Sequence, residues 1–221
     1  MKKIISLALC FIMGSFVLAG CSDDNDPFVQ KDYTADSSQI KQINIDVRDR
    51  EIEVSLSEDE QIHIEYHQNS KEYYDISVSE ENVLTLSSTS NKGWMDYIGA
   101  KPSDEVRKIF LQIPNALLEN LTLSTTNEDI TLSALTVSGS INVSSNGGNI
   151  AFGKLDVGNA LTLNVKNGNI SGSVAGGYDD FAIQTEIKKG ESNLPEIKEG
   201  GDKTLKVSAN NGDINIEFIK E

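Results

Sequence analysis

The chain has 221 residues, with 34 acidic against 19 basic side chains and a formal net charge of −15. That sign excludes binding along a nucleic-acid backbone, which needs clustered Lys and Arg. Both cysteines, Cys10 and Cys21, lie near the N-terminus, so the body of the chain must be held by its apolar core, without disulfides or thiolate-bound metal.

Lys2 and Lys3 precede an apolar run over residues 4–18, broken only by Ser6, Gly14 and Ser15. The run is shorter than the roughly 20 residues a membrane-spanning helix needs, and residues 1–20 read as a secretory signal. It ends in Leu18-Ala19-Gly20-Cys21, which resembles the lipobox of bacterial lipoproteins. That resemblance implies cleavage before Cys21 and a lipid on its sulfur. Each buried acyl CH₂ contributes about 0.8 kcal/mol, so two or three chains hold a protein stably on a membrane. An extracytoplasmic, lipid-anchored protein is expected, with the membrane as one partner. Residues 21–39 begin Ser22-Asp23-Asp24-Asn25-Asp26-Pro27, carry few apolar side chains, and read as a flexible tether. An acidic run after a lipidated Cys also resembles the surface-export signal of some Gram-negative lipoproteins.

From residue 40 the chain alternates apolar and polar residues, as half-buried strands do. Ile43-Ile45-Val47, Ile52-Val54-Leu56, Ile62-Ile64-Tyr66, Ile76-Val78, Leu84-Leu86 and Ile109-Leu111-Ile113 mark strands joined by irregular loops. On one of them, His63, Glu65 and His67 share a face. Alternate strand residues stand nearly 7 Å apart, wide for one ion, so a polar solvent face is expected and no metal. Residues 92–99 hold the only Trp, Trp94, with Tyr97 nearby. This loop reads either as a plug over an open end of the fold or as an aromatic anchor for a protein or glycan. Residues 103–108 suit one helical turn.

The second half repeats itself. Leu121-Thr122-Leu123, Ile141-Asn142-Val143, Leu161-Thr162-Leu163 and Phe181-Ala182-Ile183 recur every 20 residues, and Ile130, Ile150 and Ile170 recur in phase. A displaced copy follows at Leu205-Lys206-Val207 and Ile214-Asn215-Ile216. Between the strands lie turns containing Asp129, Asn149, Asn169 and Asp213, three of them preceded by Gly and the first by Glu128. Asn and Gly suit positive φ in tight turns. The Asp/Asn side chains are expected to stack along one edge and bond their own turn backbones. Gly172 replaces an apolar residue, predicting a thinner third copy. A fixed period with two strands per copy predicts an all-β fold, a parallel β-solenoid of about 20-residue coils over residues 40–221, since stacked coils share a core that no single coil can form.

Ile109-Phe110-Leu111-Gln112-Ile113-Pro114, then residues 121–130, then Asn211-Gly212-Asp213-Ile214-Asn215-Ile216, resemble a family of bacterial β-strand-repeat proteins named "putative adhesins", of unknown function. The resemblance spans roughly residues 40–219. It implies a β-solenoid, an extracytoplasmic place and no catalytic residues. A non-enzymatic module for adhesion or surface contact is expected, with a protein or glycan partner, no nucleic acid and no cofactor. The alternative is an accessory sensor in an envelope-stress system. A polysaccharide-active β-helix enzyme would need a paired-carboxylate constellation in a groove, and no motif singles one out.

Overall fold

The computed structural model describes residues 26–93, 101–115 and 118–220. Strands dominate: β1 (Val29–Asp36), β2 (Gln42–Asp46), β3 (Glu51–Leu56), β4 (Gln61–Gln68), β5 (Glu72–Val78), β6 (Val83–Ser90), β7 (Lys108–Ile113), β8 (Asn120–Thr125) and β9 (Ile130–Leu132). They continue as β10 (Leu135–Val137), β11 (Ser140–Ser145), β12 (Ile150–Val157), β13 (Ala160–Asn167), β14 (Ile170–Ala175), β15 (Phe181–Lys189), β16 (Ile197–Lys198), β17 (Lys203–Asn211) and β18 (Ile214–Ile219). The expected helical turn forms at Glu105–Arg107.

Two mostly parallel sheets face each other. The first runs β1-β4-β7-β3-β9-β12-β14-β18, with β10 also on β12; the second runs β16-β15-β17-β13-β11-β8-β2-β6-β5. The chain crosses from the second sheet to the first in pairs, and each pair forms a rung: β6/β7, β2/β3, β8/β9, β11/β12, β13/β14 and β17/β18 along the stack. Alternation places one side of every strand between the sheets. Ile150 pairs with Ile130 on one side and Ile170 on the other, and all three are fully buried.

The rungs are not stacked in chain order. β2/β3 lies between β6/β7 and β8/β9, and β17 lies between β13 and β15. The displaced copy is therefore inserted next to the third one. Leu161 pairs with Leu205, and Leu205 pairs with Ile183. Phe181 falls opposite Lys203, two residues out of the expected column. A two-residue shift keeps every side chain on its face, which is why alternation did not reveal it. Phe181 instead packs beside Phe218, with ring centroids 5.6 Å apart.

Antiparallel strands flank both sheets at the N-terminal end of the stack, β4 on β7, β1 on β4 and β5 on β6, and the short β16 flanks β15 of the second sheet at the other end. Such strands cover parallel edges that would otherwise pair with another chain. Within the tether expected over residues 21–39, Val29–Asp36 instead forms β1. It pairs with β4 over eight residues, and Tyr33 and Ala35 pack against the core. Its polar composition hid it, because pairing rather than apolar content holds it in place.

The turn ladder also differs from expectation. The Asn149 N–H donates to Oδ1 of Asp129 at 2.7 Å, that of Asn169 to Asn149 at 2.9 Å, and that of Asp213 to Asn169 at 2.8 Å. Asp213 in turn accepts from the Glu191 N–H at 2.8 Å. Each side chain thus bonds the neighbouring rung, not its own turn, because rungs stacked at strand spacing bring the next N–H within reach. Positive φ is not what these Asn residues supply; among the described residues only Asp49 and Asn82 adopt it outside Gly. In the Gly column, Gly168 and Gly212 do adopt positive φ, and the column also answers to crowding: a Cβ at Gly148 would sit 2.1 Å from the Glu128 carbonyl oxygen, and one at Gly168 would sit 2.2 Å from that of Gly148. Glu128 stands in this column as the partner of the buried Arg107 guanidinium, which also pairs with Asp104.

Gly172 does not leave the third copy thin. The Phe152 ring occupies the space, since a Cβ there would meet Phe152 Cδ2 at 2.3 Å.

Candidate binding trough on the outer sheet face

At the N-terminal end of the stack, the outward side chains of four strands enclose a trough of about 300 Å³. Register fixes two rows. In one, Asp32 on β1 lies opposite Glu65 on β4, Glu65 opposite Phe110 on β7, and Phe110 opposite Glu53 on β3. In the other, Thr34, His63, Gln112 and Ser55 follow in the same order. Ile62, Ile64, Ile109 and Leu111 point the other way and are buried, so the trough rests on a packed core that holds its walls.

A hydrogen-bonded chain orients the imidazole. Thr34 Oγ1 is 3.3 Å from His63 Nδ1, and His63 Nε2 is 2.9 Å from Asp59 Oδ1. Asp59 also accepts from the Ser57 hydroxyl at 2.7 Å and the Gln61 N–H at 2.9 Å. The Ser57 bond, then the His63 bond, then the Gln61 bond hold its carboxyl down at about 2. Hydroxyl, imidazole and carboxylate in series suggest a nucleophile. However, Asp59 is exposed, and such catalysis relies on a water-excluded site with preorganised oxyanion donors. The chain positions His63 on the trough wall.

Next to the trough, Lys108 Nζ lies 3.1 Å from Glu51, 3.6 Å from Glu53 and 5.5 Å from the Phe110 ring centroid. The hydrogen bond to Glu51 is the main cause raising its pKa, against burial. Asp32 and Glu65 form no ion pair among the described residues.

Of the residues weighed from the sequence, His63 and Glu65 line the trough and His67 does not. His67 is 6% exposed, with Nε2 unpartnered. Among the described residues no three His, Cys, Asp or Glu side chains gather to hold a metal. Cys21, Trp94 and Tyr97 lie outside the described residues. Sequence reasoning missed Asp32, Thr34 and Phe110. The first two sit on the strand taken for tether. Phe110 carried a signal, a large aromatic in the polar phase of Ile109-Phe110-Leu111-Gln112-Ile113.

A family model, Toastrack DUF4097, matches residues 40–175. The chain belongs to the Toastrack family. The Toastrack match covers six of the seven strands that border or build the trough's half of the stack, β2 to β7, and leaves out β1. Among solved structures, a "putative cell adhesion protein" from Clostridium sporogenes shares 15% identity at a TM-score of 0.54, covering 86% of this chain and 99% of its own. A "putative adhesin" from Bacteroides fragilis shares 14% identity at a TM-score of 0.38, covering 90% and 98%. The first likeness shows a shared fold. No curated protein matches the chain.

Proposed function

We propose that this Toastrack protein is a non-enzymatic binding module of the bacterial envelope, anchored by lipid on Cys21 and displaying a β-solenoid for adhesion or surface contact. The trough carries the reading. It is a concave site of the lower size usual for ligands, with an aromatic floor and polar walls set on rigid strands rather than loops. The adhesive name of the Clostridium sporogenes neighbour and the lipobox-like Leu18-Ala19-Gly20-Cys21 support it.

Two strains test it, a deletion and its complement, scored for attachment to envelope material and for transcription of envelope-stress genes. Lost attachment with unchanged transcription is expected. A transcriptional response with unchanged attachment would favour a sensor instead. Mass spectrometry of the complementing protein should find acyl chains on Cys21, and an unacylated mature protein would remove the anchor from the account.

A further inference from the structure

We infer that the trough accepts a basic side chain, the guanidinium or ammonium group of a peptide segment on a protein partner. This rests on the binding reading above and names the ligand class of the same site.

Three observations converge. Asp32 and Glu65 are opposite each other on paired antiparallel strands, where like charges oppose folding. No cation among the described residues forms an ion pair with either, and a ligand cation could. Second, Glu65 is paired across from Phe110, and Asp32 lines the same trough as that ring, whose face attracts cations. A planar guanidinium stacks on a ring and pairs with a carboxylate at once. Third, the protein already displays the same chemistry on the other side of that ring. Lys108 sets its ammonium 5.5 Å from the Phe110 centroid and binds Glu51 and Glu53. The ring thus has a resident cation on the β3 side and two uncompensated carboxylates on the β1 side.

Charge distribution agrees. Residues 26–93 and 101–115, which hold all four trough strands, carry 17 acidic against 9 basic side chains, and residues 118–220 carry 13 against 8. The end of the stack holding the trough is the more negative for its length, and such a field raises the encounter rate of a cationic partner. The volume of about 300 Å³ suits one long side chain rather than several sugar rings. A neutral glycan would strip water from the two carboxylates without returning a charge. Thr34, Ser55 and Gln112 supply further hydrogen-bond acceptors around the bound group.

Calorimetry on the full chain in detergent tests the inference. The probes are an acetylated tetra-arginine amide, its citrulline counterpart, free spermidine and a neutral N-acetylglucosamine oligomer. Saturable binding of the arginine peptide is expected, weakening with salt. It should weaken about tenfold or more in Asp32→Asn/Glu65→Gln, the loss of close charge-assisted contacts, and less in Phe110→Leu. Glu80→Gln/Glu81→Gln removes the same charge from an exposed turn in the same half of the chain and should bind as the parent does. Melting curves show that each variant is folded. Equal weakening in both double variants would reduce the effect to general electrostatics and overturn the inference, as would equal binding of the citrulline peptide or no arginine-peptide binding. Spermidine binding as tight as the peptide would assign the site to free polycations and overturn the protein partner. Trough-dependent binding of the sugar oligomer alone would overturn the inference yet leave the binding-module reading standing.

Discussion

The Phe152 side chain fills the place that Gly172 leaves vacant, so the two residues share one volume in neighbouring strands of the core. Gly172→Ala should cost about 1–3 kcal/mol by overpacking. Adding Phe152→Leu should recover part of that, since the ring is one of the atoms in the way and the Phe152 carbonyl at 2.5 Å is another. Urea denaturation of both variants decides it. Additive losses would show that the two sites are independent.

The inter-rung ladder predicts where a lost side chain is felt. Asn169→Ala removes the acceptor of the Asp213 N–H, 44 residues away in the chain. Stability should fall by about 1 kcal/mol, and hydrogen exchange should quicken at Asp213. Faster exchange confined to residues 170–171 would mean that Asn169 bonds its own turn.

Much of this architecture was legible in the sequence, and the reasons for the rest are physical. Ile130, Ile150 and Ile170 announced parallel stacking, because in-register rungs repeat the same environment at the same phase. The insertion of β17 between β13 and β15 was not legible, since nearest-neighbour packing says which faces are apolar and not which rung adjoins which. The trough was hidden for a related reason. His63 and Glu65 could be placed on one face, but Asp32 and Phe110 reach them only through cross-strand pairing with β1 and β7.

Core and face separate cleanly in one pair of variants. Ile150 is fully buried, and Asn142 is exposed on the outer side of β11. Ile150→Asp places an unpaired carboxylate among apolar neighbours and should cost about 4 kcal/mol or more. Asn142→Asp should stay within about 0.5 kcal/mol of the parent, as surface changes do. Melting temperatures that move together would contradict the stacking of Ile130, Ile150 and Ile170.

Asp59 gives the trough rim a signature in acid. Its carboxyl titrates at about 2 instead of the ordinary 3.8. A depressed folded-state value means that its bonds stabilise the protein above about pH 3.8 and that this contribution is lost as pH falls through about 2. Carbon-detected NMR should place the Asp59 midpoint near 2. His63→Gln, which removes the imidazole partner, should move it upward toward 3.8. An unmoved midpoint in the variant would mean that Ser57 and the Gln61 N–H alone hold the carboxylate, and that the Asp59–His63 bond is absent in solution.

If the proposed function holds, the folded chain binds a component of the envelope. Purified full chain, tethered through its N-terminus to neutral liposomes, can be titrated onto intact envelope preparations beside an unrelated acidic protein tethered in the same way. Saturable capture is expected, abolished by heat denaturation and weakened by Asp32→Asn/Glu65→Gln. Capture no greater than that of the unrelated protein, or equal capture by the denatured chain, would contradict the binding reading.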